Sequence, residues 1–265
     1  MPANSDSIWN TSEEETPVDR ATAHVGIVCT QAMELKALLG SLDRCRRYAD
    51  GTMQFTGGFL DQTLRVAVVQ AGAGFAVHRK AAETLIREHS PAWVISAGFS
   101  SSLAADVPAG DLCLATSIVD THGQTMAVKC PIPESDHSTL RQHVVTDTHP
   151  QTSDEKSRLA DQFAAGAVDT VSLAVAQICE SSKIPFLSIR AIVDDPTDNL
   201  PAVATKLIFE PSSVTRGGAA GRWISNRRQP ANVRQWTERA ATTGDRLSTY
   251  LLGVIRQLGA HVEQG

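Results

Sequence analysis

No stretch of this chain approaches the roughly 18 consecutive apolar residues that a helix needs to cross a bilayer, so no membrane span is expected. A surplus of positive charge is also missing. The 265 residues carry a formal net charge of −5. That excludes a surface-wide field that would draw nucleic acid or an anionic membrane. Cysteine is sparse and odd in number, with five residues at Cys29, Cys45, Cys113, Cys130 and Cys179. None stands at metal-ligand spacing from another, and no framework of bridges is suggested, which fits a reducing, cytoplasmic setting and no metal. The opening residues, MPANSDSIWNTSEEETPVDRATA, lack both a positive n-region and an apolar h-region, so a secretory signal is not expected.

What is present is an ordinary globular composition, 42% hydrophobic and 20% charged. The Ser, Asn, Glu and Pro content of the opening marks residues 1–22 as a disordered leader. Residues 23–265 then form a single domain, of which 200–265 are a loop plus a C-terminal helix. HVGIVCT (24–30) is short and β-branched and predicts a buried strand. QAMELKALLGSL predicts a helix ending near Gly40. MQFTGGFLDQTLRVAVVQ predicts a hairpin with its turn at Gly57-Gly58 and a strongly apolar second strand, Leu64 to Val69. AGAGFAVHRKAAETLIREHS turns on glycines and then becomes an amphipathic helix. PAWVISAGFSS and GDLCLATSIVD predict strands. Residues 121–142 are polar and predict an irregular excursion, followed by a short strand at HVVTD. SDEKSRLADQF starts a helix at Ser153. AGAVDTVSLAVAQICESS gives a short apolar entry and a helix, and IPFLSIRAIV the last core strand. From Trp236 to Leu258, apolar residues recur at helical spacing. Strands alternating with helices predict a three-layer α/β/α class with a mixed, mostly parallel central sheet.

Two places carry candidate chemistry. VVQAGAGFAVHRK follows a strand and opens a helix, where phosphate-binding turns sit. Val77 stands where a dinucleotide turn needs its third glycine, so a nicotinamide cofactor is not expected. Gly72 and Gly74 either permit a tight turn or let a small ligand approach the backbone. The second place is SIRAIVDDPTDNL. An apolar strand ends on Asp194 and Asp195 before Pro196, a pair that either caps a turn or presents an acid.

Four stretches then resemble the purine nucleoside and uridine phosphorylase superfamily, in particular its methylthioadenosine/S-adenosylhomocysteine nucleosidases. GIVCTQAMELKALL resembles that family's opening strand and G-A-M-E-x-E-V-x-x-L helix. VVQAGAGFAVHRKAAETLIREHSPAWVISAGFSSSL is similar to its S-G-I-G-K helix and N-T-G-S-A-G-G-L strand. VPAGDLCLAT is similar to V-G-D-I-V-V-S. AVDTVSLAVAQICESSKIPFLSIRAIVDD resembles A-V-E-M-E-A-x-A-x-A-x-V-C followed by V-P-F-x-x-x-R-A-I-S-D. DPTDNLP and EKSRLADQFAAGAVD resemble more closely a bacterial side branch of phosphorylases, some acting on hopanoid adenosyl lipids.

The resemblance implies cleavage of the N-glycosidic bond of a purine nucleoside or adenosyl derivative, with Asp194 protonating the departing base. A partly desolvated strand end raises a carboxyl pKa towards neutrality, as this role requires. It implies that Gly72, Gly74, Gly98 and Phe99 line the sugar side and that Asp169, Thr170 and Val171 stand where the family's Glu-Met-Glu holds the ribose. Valine at 171 removes a carboxylate acceptor. Lys36 replaces the glutamate that activates water. The expectation is therefore phosphorolysis rather than hydrolysis, with phosphate as a co-substrate, Lys36 near it, and no organic cofactor. The partner is a small-molecule nucleoside, and the resemblance implies a homo-oligomer, a homodimer. The alternative is a catalytically impaired nucleoside-binding or interaction protein that keeps the fold. Arg222, Arg227 and Arg228 form a small basic cluster in the loop after Pro201.

Overall fold

The computed structural model describes residues 22–210 and 231–262. Most of the leader and the Arg222, Arg227, Arg228 cluster lie outside the described residues. The first strand, β1 (Val25–Cys29), is wholly buried because helices cover both its faces. Val25, Ile27 and Cys29 face one apolar cluster, and Val28 faces the other. A short 3-10 turn (Ala32–Leu35) leads into α1 (Lys36–Gly40). Then come β2 (Asp43–Asp50), β3 (Met53–Leu60), β4 (Leu64–Gln70), α2 (Phe75–His89), β5 (Trp93–Ser102), β6 (Leu112–Asp120) and β7 (Thr125–Ala127). The chain continues through β8 (Ser138–Val145), α3 (Ser153–Phe163), β9 (Ala167–Asp169), α4 (Ser172–Ser181), β10 (Phe186–Asp194), α5 (Ala202–Ile208) and α6 (Ala231–Val262).

The sheet runs β2-β3-β4-β1-β5 and then closes on itself, because β5 pairs with β10 along its length and with β9 at its far end. β10, β6, β8 and β9 complete the ring. The centre is parallel, through β1–β4, β1–β5 and β5–β10. Antiparallel pairs build the β2–β3–β4 edge and help close the ring. On one face α6 packs with α1 and α5, burying Ala240, Leu247, Leu251, Val254, Ile255 and Leu258. This is the helical stripe predicted above. On the other face lie α2 and α4, through Ala81, Ala82, Leu85, Val175 and Ile178. The three layers expected from the alternation of elements are present.

The differences are local. Gly57 and Gly58 lie inside β3, paired with Ala67 and Val66. The turn comes later, at Asp61 and Gln62, whose φ angles of 50° and 66° show that two polar residues make the left-handed corner. β2 was not legible, because DRCRRYAD is almost wholly exposed and has no apolar face to reveal it. β7 and the first half of β8 fall within 121–142, and α5 within the segment expected to be a loop. No helix among the described residues is long and apolar enough to cross a membrane.

Candidate active site

The C-terminal ends of β1, β5, β9 and β10 bring polar side chains into the interior. Asp194 ends β10 opposite Ser101 of β5. Its side chain is fully buried. Ser101 Oγ donates to Asp194 Oδ1 at 2.6 Å, and Lys156 Nζ donates to Oδ2 at 2.6 Å. Lys156 also donates to the Asp195 carbonyl at 2.6 Å. It is carried by α3, which Thr152 and Glu155 start through a capping box. Burial pushes the Asp194 pKa up, Lys156 and Ser101 pull it back, and the result is about 6.

The polar chain continues. His149 Nε2 lies 2.7 Å from Ser101 Oγ. The hydroxyl has one proton and gives it to Asp194, so His149 Nε2 carries the proton in that bond. Burial holds the His149 pKa down at about 3, so the ring is neutral. Phe209, just after α5, stacks on that ring with centres 3.4 Å apart and planes 16° apart.

Phe209 is also the wall of a cavity of about 650 Å³. Gly74 and Phe75, Asp120, Thr146 to Thr148, Thr170 and Glu210 contribute to its lining. Asp194 does not line it; Phe209, His149 and Ser101 stand between.

A second buried cluster sits beside the first. Glu34 accepts backbone hydrogen bonds from Thr30, Gln31 and Phe99 at 2.7, 2.9 and 3.2 Å. Burial raises its pKa, these donors and Arg190 lower it, and it settles at about 7. Arg190 donates to Ser96 Oγ at 2.6 Å and contacts Asp169 Oδ2 at 3.1 Å. Asp169 Oδ1 accepts from the N–H groups of Val171 and Ser172, both at 2.7 Å, and so caps α4. Burial raises the Asp169 pKa, but Arg190, His143 and these two donors outweigh it and leave it below the usual carboxylate range.

The predicted site residues therefore separate into groups. Gly74 and Thr170 line the cavity. Gly72 and Gly74 have φ angles of 90° and 111°, so the turn itself requires glycine. Asp169 faces inward, with Oδ1 hydrogen-bonded and Oδ2 in ionic contact with Arg190. Val171 is buried at the start of α4, and Phe99 fills the core beneath α6. Lys36 is exposed on α1 and lies outside the cavity. The interior acid of AMELK is Glu34, two residues earlier. Sequence reasoning missed Glu34, Lys156, His149, Ser101 and Phe209. The only signal was the Ser-Ser-Ser run ending β5.

Gly98 is where the second cluster constrains the backbone. A Cβ there would lie 2.8 Å from Glu34 Oε1 and 2.9 Å from Arg190 Nη1. Gly98→Ala is expected to cost about 1–3 kcal/mol in overpacking. Chemical denaturation checks this, and an unchanged midpoint contradicts it.

The buried groups also fix a pH signature. Glu34 and Asp194 have raised pKa values, so their contribution to stability is complete below about pH 4 and is lost as pH rises through about 6 and about 7. For His143 and His149, burial lowers the pKa to about 4 and about 3, so their contribution is present above about pH 6.5 and is lost as pH falls. Between about pH 4.5 and 6 the two effects oppose, each group contributing about 1.4 kcal/mol per pH unit. Stability is expected to be nearly flat in that window. His149→Gln removes one opposing group, so the variant should gain about 1.4 kcal/mol per unit of acidification. Urea unfolding at stepped pH measures it; equal slopes for the two proteins contradict it.

No family model matches the sequence, and no curated protein matches it. Solved structures do. A methylthioadenosine/S-adenosylhomocysteine nucleosidase from Colwellia psychrerythraea, in complex with adenine, superposes with a TM-score of 0.65 at 18% identity, over 89% of this chain and 96% of that one. The nucleosidase from S. pneumoniae with a transition-state inhibitor gives 0.65 at 15%, over 87% and 97%. A futalosine hydrolase mutant from Helicobacter pylori gives 0.59 at 16%, over 65% and 89%. The chain therefore has the fold of these methylthioadenosine/S-adenosylhomocysteine nucleosidases.

Proposed function

We propose that this protein cleaves the N-glycosidic bond of an adenine nucleoside or adenosyl derivative, with Asp194 as proton donor to the leaving base and water as the attacking group. The observation that carries the reading is the Phe209 stack. An aromatic ring lies flat on His149, two hydrogen bonds from a carboxyl whose pKa is about 6, in the fold of proteins solved with adenine or its analogues. A purine stacks as Phe209 does. If it takes that place, it lies against His149, which Ser101 links to Asp194 through two hydrogen bonds. Protonating the base as it leaves turns a poor leaving group into a good one, and an acid of pKa about 6 keeps a useful protonated fraction near neutrality. Thr170 lies on the cavity wall as a sugar-side contact.

Water is favoured over phosphate by charge. Asp120, Asp147 and Glu210 line the cavity, and among the described residues no lysine or arginine does. An entering phosphate meets repulsion from these three carboxylates, with no lysine or arginine of the described residues on the lining to offset it. Glu34, with a pKa of about 7, is a buried carboxyl near Lys36 in sequence, but like Lys36 it does not line the cavity, so the charge of the lining carries the choice of water.

A second reading has its own support. Both Asp194 oxygens are engaged, by Ser101 and Lys156, behind Phe209. That arrangement suits a protein that binds nucleosides without turnover. Incubation with adenosine, methylthioadenosine and adenosylhomocysteine, with and without phosphate, separates the readings. Free adenine in phosphate-free buffer is the expected result. Release only with phosphate overturns the choice of water. Saturable binding without release, unaffected by Asp194→Asn, supports the second reading.

A further inference from the structure

Away from this cluster, at the free edge of the sheet, a second cavity of about 640 Å³ opens between β2, β3, β4 and the end of α2. Register creates it. Arg46 pairs with Gly57, and Gly57 with Ala67, so one row of this face holds a long side chain beside two positions with almost none. Nothing lies within 4 Å of where a Cβ on Gly57 would stand, so the floor is open backbone. At one end of the trough Tyr48 lies flat on Phe55, ring centres 4.8 Å apart and planes 4° apart. Tyr48 as a residue is 41% exposed, and its hydroxyl is 2.8 Å from His89 Nε2. At the other end the guanidinium carbons of Arg44 and Arg65 lie 4.0 and 5.4 Å from the Phe59 ring centre.

Arg44, Arg46 and Arg65 all line this trough, in a chain whose net charge is −5. Among the described residues no carboxylate pairs with any of the three. Arg44 donates to the Gln62 carbonyl, and the one acid on the wall, Glu88, is held by Arg87 at 2.7 Å. Charges on an edge strand commonly guard it against pairing with other chains, which accounts for Arg44 and Arg46 on β2. It does not account for Arg65, on the third strand in, whose guanidinium reaches the same trough.

We propose that this trough binds a diphosphate-bearing aromatic ligand, a nucleoside diphosphate or close relative, with its phosphates on Arg44, Arg46 and Arg65 and its ring on Tyr48. Guanidinium forks match pairs of phosphate oxygens, and an exposed flat phenol offers a stacking face. The site is independent of the Asp194 chemistry.

The test is calorimetric titration of the full chain with ADP and with pyrophosphate. ADP should bind more tightly than pyrophosphate. Arg46→Ala, at an exposed edge position, should weaken ADP binding about tenfold, and Arg46→Lys should restore it only in part. Adenine release from nucleosides should not change in either variant. The proposal is overturned if ADP does not bind the full chain, if Arg46→Ala leaves ADP affinity unchanged, or if ADP binds no tighter than pyrophosphate.

Discussion

Asp194→Asn is expected to lower adenine release by about 10²–10⁴-fold, the usual worth of a positioned proton donor. Its stability should hold or rise near neutral pH, because a carboxyl whose pKa is raised to about 6 already favours a neutral group beside Lys156. Lost activity in a protein of undiminished stability separates a proton donor from a structural part; unchanged adenine release contradicts the catalytic role. Lys156 also tunes the acid. Burial raises the Asp194 pKa and Lys156 lowers it, so Lys156→Met alone should move it above about 6. A proton donor works in its protonated form, so the alkaline limb of kcat/KM should shift to higher pH in that variant. A purely structural Lys156 leaves the limb where it was.

Phe209→Ala is expected to tighten adenine binding by about thirtyfold to a thousandfold. In the described conformation a purine must first displace the Phe209 ring from His149. Breaking an aromatic stack costs about 0.5–1.5 kcal/mol beyond its area, and exposing a phenyl ring adds roughly 1.5–3 kcal/mol. Truncation removes that competition, and tenfold in affinity corresponds to about 1.4 kcal/mol. Phe209 also belongs to the apolar cluster beneath α6, so the variant should melt earlier. Tighter binding in a less stable protein is a signature that generic damage does not produce. Weaker binding contradicts the account and makes Phe209 part of the purine site.

The central strands and the α6 stripe were legible because each repeats one burial pattern along consecutive residues, as β1 and Leu247 to Leu258 do. Asp194 was legible because its strand stops on it. The partners of Asp194 were not. Lys156 is 38 residues away on a helix whose local sequence, SDEKSRLADQF, is that of a solvated face. His149 and Ser101 are 48 residues apart, and Phe209 reaches His149 from beyond β10. No local pattern marks such contacts; only the closure of β5 on β9 and β10 creates them. Lys36 drew attention because motif alignment places side chains by position. The 3-10 turn instead directs Glu34 inward and leaves Lys36 in solvent. β2 was illegible for the opposite reason: an edge strand covered by charge has no buried face to betray it.

The most direct test is a crystal structure of the protein soaked with adenine. The account predicts the purine stacked on His149, within hydrogen-bond reach of Asp194 or Ser101, with the Phe209 ring moved off. Adenine lodged elsewhere in the cavity while Phe209 stays on His149, and Asp194 still closed behind it, contradicts the proposed chemistry.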